Sequence, residues 1–111
     1  MPHNARPVHE VKANLFRVLG HPARVRALEL LRDGERSVGA LQAELGLDSG
    51  GTSQHLAALR RIGLVESRRE GTSVYYRVDD DRVFELLESG RAIITRQLAE
   101  QQSILQDLET S

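Results

Sequence analysis

The chain of 111 residues contains no cysteine, which excludes disulfides, thiolate metal sites and thiol redox sensing. It also has no apolar run near the length of a membrane span, and its start, MPHNARPVHE, does not read as a secretion signal. The cytoplasm is the expected location, with no membrane partner. Enzyme signatures are missing as well: there is no Cys nucleophile, no Gly-rich phosphate loop and no Ser/His/Asp set supported by spacing. The expectation is a protein that is not an enzyme, has no catalytic residues and needs no cofactor. Excess positive charge is absent too, since 15 Lys and Arg face 16 Asp and Glu for a formal charge of −1. That total argues against nucleic acid until its distribution is examined.

The charge is unevenly placed. Residues 49–77 carry five Arg against Glu66 and Glu70, a balance of +3, whereas residues 78–111 carry three Arg against eight acids, a balance of −5. A basic head on an acidic body suits phosphate contact despite the near-neutral total. An ordinary solvated charge mixture explains a +3 segment alone, but it does not explain the helical pattern that overlaps it.

Apolar Val8, Val11, Leu15, Val18 and Leu19 fall on one helical face, which predicts a first helix over 8–19 behind a flexible arm at 1–7. Gly20-His21-Pro22 ends it and opens another, with Pro22 in the first turn where its missing N–H costs nothing. Val25, Leu28 and Leu31 stripe this second helix, and Asp33-Gly34 closes it. Ser37 is the expected N-cap of a third helix with Val38, Leu41 and Leu45 inside, and Asp48 caps a fourth. Two helices this short, joined only by Gly46-Leu47-Asp48, must cross on another helix to bury their apolar sides. That geometry projects the second of the pair outward and predicts a helix-turn-helix over 37–62. Leu64–Ser67 and Ser73–Val78 are β-rich runs joined by Arg-Arg-Glu-Gly-Thr, a hairpin over 64–78 with Arg68, Arg69 and Arg77 around its tip.

Asp79-Asp80-Asp81 precede a long last helix over 80–108, where the helix dipole favours negative charge. Val83, Leu87, Ile94, Leu98, Leu105 and Leu108 recur along it at helical spacing, and Gly90 is a point where it could bend or split. The alternatives are an intramolecular core helix and a helix that packs on a second copy. The chain is a single small domain with too little protein to cover this stripe, which favours a homodimer. Val11, Leu15, Leu87, Ile94, Leu98 and Leu105 are its expected interface residues.

On the fourth helix a 100° step per residue places Thr52, Leu56, Leu59 and Gly63 on one side, with Gly50, Ser53, Gln54, Ala57 and Arg61 opposite. Gln suits a bidentate contact with adenine, and Ser can donate to or accept from either base type. Arg60 and Arg61 lie at the far end of the helix, where phosphate is the expected target. Gly50-Gly51 in the first turn leaves two readings open. Either backbone N–H groups approach a phosphate there, or the helix start is loosely formed and orders on DNA.

LGHPARVRALELL, TSQHLAALRRIGLV and RREGTSVYYRV together resemble the second helix, recognition helix and wing of the ArsR/SmtB family of bacterial winged helix-turn-helix repressors. The resemblance covers residues 8 to about 100. It implies a mainly α fold with a small β-hairpin, dimerised through the first and last helices, that binds double-stranded DNA at an inverted repeat and blocks transcription. It maps DNA contact onto Ser49, Gly50, Ser53, Gln54 and His55, with Arg68 and Arg69 in the wing. Gly50-Gly51-Thr52 departs from the family pattern of polar side chains followed by an aliphatic, so side-chain readout at Gly50 and Gly51 is not carried over.

Many relatives sense metal through Cys-x-Cys on the third helix or Asp and His on the fifth. Here the third helix has neither Cys nor His and the fifth has no His. The histidines are His3, His9, His21 and His55, which do not assemble the roughly four converging ligands of a closed site. No metal site is expected. Two further readings stand beside the repressor: a winged helix that pairs with protein, and a DNA-binding dimer relieved by a small organic effector that the sequence does not identify.

Overall fold

The computed structural model describes residues 6–110, so most of the expected arm, with His3, lies outside the described residues. Helix α1 spans Val8–Leu19 and helix α2 spans Pro22–Leu30. The junction is made locally: the His21 imidazole accepts the Ala23 N–H at 3.0 Å while Pro22 occupies the first turn. A 3-10 turn at Leu31–Asp33 and Gly34 at φ 132° lead into strand β1, Arg36–Ser37.

Ser37 then caps helix α3, Val38–Leu45, its Oγ accepting the Ala40 N–H at 3.1 Å. Gly46 closes α3 in the left-handed conformation at φ 67°, which a residue with a Cβ adopts at a cost. Helix α4 spans Ser49–Arg61 behind an Asp48 N-cap. It stops before Gly63, which takes φ 79° and ends the helix instead of extending its apolar face.

The sheet has three antiparallel strands in the order β1-β3-β2, with β2 at Glu66–Glu70 and β3 at Ser73–Arg77. Strand β1 is not predicted by the sequence pattern; two residues are too few to show an alternation. The β2–β3 turn is also tighter than the five-residue tip read from the sequence. Glu70 pairs with Ser73, so only Gly71 and Thr72 turn, and Gly71 at φ 62° makes this feasible. Arg68 and Arg69 therefore lie on a paired strand.

The core forms where α2, α3 and α4 meet. Leu28, Leu41, Leu56, Leu59 and Thr52 are fully buried. Burying Thr52 is cheap because its Oγ1 donates to the Asp48 carbonyl at 2.9 Å. These elements make one compact unit through Asp80, and the residues from Asp81 on make a second.

That second unit is helix α5, Arg82–Thr110, continuous through Gly90. One helical Gly costs about 1 kcal/mol, too little to break a helix of this length. Ile93, Ile94, Leu98, Ile104, Leu105 and Leu108 are each more than half exposed, a wider apolar face than the stripe read from the sequence. On α1, Val8, Val11 and Phe16 are also more than half exposed, whereas Leu15 is half-buried.

Candidate nucleic-acid interface

Helix α4 is two-sided. Thr52, Leu56 and Leu59 fix its inner face, while Ser49, Gly50, Ser53, Gln54, Arg60 and Arg61 are exposed. Ser53 and Gln54 stand exposed near its start. Arg60 is partly engaged, donating to Ser67 Oγ at 3.3 Å and so tying α4 to β2.

His55 turns the other way. Its Nδ1 accepts from Arg24 Nε at 3.1 Å, and its ring centroid lies 4.2 Å from that of His21. Burial, followed by the nearby His21 and Arg24, pushes the His55 imidazole below its ordinary pKa. A neutral ring is what this contact needs, because a protonated Nδ1 could not accept from Arg24. Arg24 also donates to the Val18 carbonyl at 3.2 Å, so one guanidinium joins α1, α2 and α4.

The glycine pair has a local explanation at its second member. The Gly51 N–H donates to Asp48 Oδ1 at 2.6 Å, and a Cβ there would sit 2.9 Å from that oxygen. The Asp48 carboxylate thus occupies the helix start, and the Gly51 N–H is not available to a phosphate. Gly50 meets no such crowding, with its nearest neighbour at 3.9 Å.

In the wing, the period of two separates adjacent arginines. Arg68 lies opposite Tyr75, and Arg69 opposite Val74. Because Tyr76 is buried and pairs with Ser67, the face carrying Ser67, Arg69, Val74 and Tyr76 is the inner one. Arg68 is on the outer face, held by Glu35 and Glu70 with its guanidinium 4.6 Å from the Tyr75 ring centroid. These two carboxylates raise the Arg68 pKa, and Arg68 in turn holds the Glu35 carboxyl below the usual range. Arg77 is paired with Glu66 at 2.6 Å and with Asp79 at 3.2 Å. Of the five arginines in the basic segment, Arg61 and Arg69 are the two without a hydrogen bond or ion pair to another described residue. The charge count alone does not show this. No group of three or more His, Cys, Asp and Glu among the described residues is placed to hold a metal, and no described helix is long and apolar enough to cross a membrane.

A helix-turn-helix whose second helix projects from a trihelical core, flanked by a β-hairpin, defines a winged helix-turn-helix DNA-binding domain. The chain belongs to the arsR family of bacterial regulatory proteins, whose family model matches residues 21–67. It is 42% identical over 103 residues to the HTH-type transcriptional regulator Rv0081 of Mycobacterium tuberculosis, covering 92% of this chain and 90% of that one. The crystal structure of Rv0081 superposes with a TM-score of 0.80 over 87% of this chain and 98% of that one, at 41% identity. A biofilm growth-associated repressor of Agrobacterium fabrum is 41% identical over 81 residues, covering 73% of this chain and 69% of the relative. The solution structure of a homodimeric winged helix-turn-helix DNA-binding domain from Mycobacterium bovis matches with a TM-score of 0.73 at 34% identity, over 82% of this chain and 84% of that one. The chain is a transcriptional regulator of this family and not an enzyme.

Proposed function

We propose that the chain acts as a homodimeric repressor that reads an inverted-repeat operator. In this reading residues 37–62 form the reading unit, residues 64–78 the wing, and residues 8–19 and 80–108 the dimerisation helices. The observation that carries it is the two-sidedness of α4, anchored through Leu56 and Leu59 and presenting Ser53 and Gln54 outward. Ser49, Gly50, Arg60 and Arg61 extend this surface, and Arg69 adds a cation on the inner face of the wing.

The dimer follows from α1 and α5. Each presents large apolar side chains to solvent, including Val11, Ile94, Leu98 and Leu105 at 55–59% exposure, beside the half-buried Leu15 and Leu87. A second copy would cover them, as expected of a chain this small. The homodimeric domain from Mycobacterium bovis and the relative named as a repressor support the same assembly and sign of regulation. A two-fold dimer then calls for half-sites about 34–36 Å apart, or a multiple of that spacing. Footprinting on genomic DNA with excess random competitor tests this. A protected inverted repeat with that spacing is the expected result, and protection without two-fold symmetry would refute it.

A further inference from the structure

A cleft of about 430 Å³ lies where the start of α3, Ser53 of α4 and the β2–β3 hairpin meet. Its walls include Ser37 at the start of α3, Ser53 on α4, and Thr72, Ser73, Val74 and Tyr76 of the hairpin. No carboxylate lines it.

Tyr76 carries the argument. The residue is only 8% exposed, and its phenol makes no hydrogen bond to another described residue. Yet no side-chain oxygen in the described structure is sealed from solvent without a partner. The hydroxyl is therefore not fully sealed from solvent, and Tyr76 is one of the residues that line the cleft. A mostly buried tyrosine whose polar end finds no protein partner is poised for an external one. Ser53 and Thr72 add hydroxyls that can turn to donate. Arg69 stands opposite Val74 on the same face of the hairpin but does not line the cleft.

We propose that this cleft seats one DNA phosphodiester per half-site, with the Tyr76 hydroxyl as its principal donor. The proposal rests on the operator-binding reading above. A helix in the major groove and a hairpin beside the adjoining minor groove must straddle the sugar–phosphate strand between those grooves, and the cleft lies between these two elements. The seat is uncharged, so it adds affinity without base information and without releasing counterions. It also gives Ser53 a backbone role beside its base-edge role.

Tyr76→Phe removes one oxygen without a protein partner, so the melting temperature and dimerisation should not change. Band shifts on operator and scrambled duplexes should show affinity falling about tenfold per half-site on both, with the salt dependence unaltered. A methylphosphonate scan of the operator backbone supplies the direct readout. One position per half-site should weaken wild-type binding, and Tyr76→Phe should lose most of that sensitivity at that position alone. Unchanged affinity in Tyr76→Phe, a loss confined to the operator, or no coupling to any backbone position would overturn the seat while leaving the DNA reading intact. Wild-type protein that bound neither duplex would overturn both.

Discussion

Arg68 reaches from β2 across Tyr75 of β3 to Glu35, which precedes β1; Nη2 donates to one carboxylate oxygen at 2.6 Å and Nε to the other at 2.9 Å. Its neighbour Arg69 has no comparable tie and sits on the opposite face of the strand. Two adjacent arginines that the sequence presents as equivalent wing contacts are therefore different in kind. Arg68 braces the sheet, and Arg69 is open to a phosphate.

Salt dependence should separate them. Arg69→Ala is expected to weaken binding to operator and scrambled DNA alike and to lower the slope of log K against log salt by about one for each phosphate it no longer neutralises. Arg68→Ala should leave that slope nearly unchanged, because its charge is already matched by Glu35 and Glu70. Band shifts at three salt concentrations measure both. A slope that fell for Arg68→Ala and not for Arg69→Ala would reverse the assignment.

Gln54 should behave as a base-reading residue. Gln54→Ala is expected to cost roughly 1–3 kcal/mol per half-site on the operator while barely changing binding to random DNA. Equal losses on both duplexes would place Gln54 on the backbone instead.

The dimer makes its own prediction. Ile94→Glu or Leu98→Glu buries an unpaired carboxylate if a second copy covers α5, at a cost of several kcal/mol. Sedimentation at micromolar concentration should show a dimer for the wild type, and monomer or unfolded chain for either variant. A variant that remained dimeric would show that these exposed side chains lie outside the interface.

His55 should make stability depend on pH. Its folded pKa lies below the ordinary value of 6.5, so below that pH the unfolded chain binds more protons than the folded one. The contribution is complete above about pH 6.5 and is lost as the pH falls toward the depressed folded value. His55→Asn keeps an acceptor for Arg24 but does not titrate. Thermal melts from pH 7.5 to 5.5 should fall more steeply for the wild type than for this variant. Parallel curves would show that the Arg24–His55 contact does not control the pH response.

Much of the fold is legible in the sequence because it rests on short-range chemistry. Ser37 and Asp48 satisfy N–H groups three residues away, and the 100° step along α4 separates Leu56 and Leu59 from Ser53 and Gln54. Such features depend on neighbours in sequence, so the residues themselves declare them. The exact hairpin turn and the continuity through Gly90 are less legible, since each depends on small differences of about 1 kcal/mol.

Sequence neighbours alone thus specify the helices, the hairpin, the caps that start α3 and α4, and the face that α4 presents, but not strand β1. Which polar groups remain free for a partner depends instead on long-range packing. Arg68 meets Glu35 across 33 residues, and His55 meets Arg24 across 31. Tyr76 is buried on the inner face of the sheet, and its hydroxyl has no hydrogen-bond partner among the described residues. Charge and hydrogen-bonding capacity belong to a residue, but their availability depends on what the folded chain brings within about 3 Å of it.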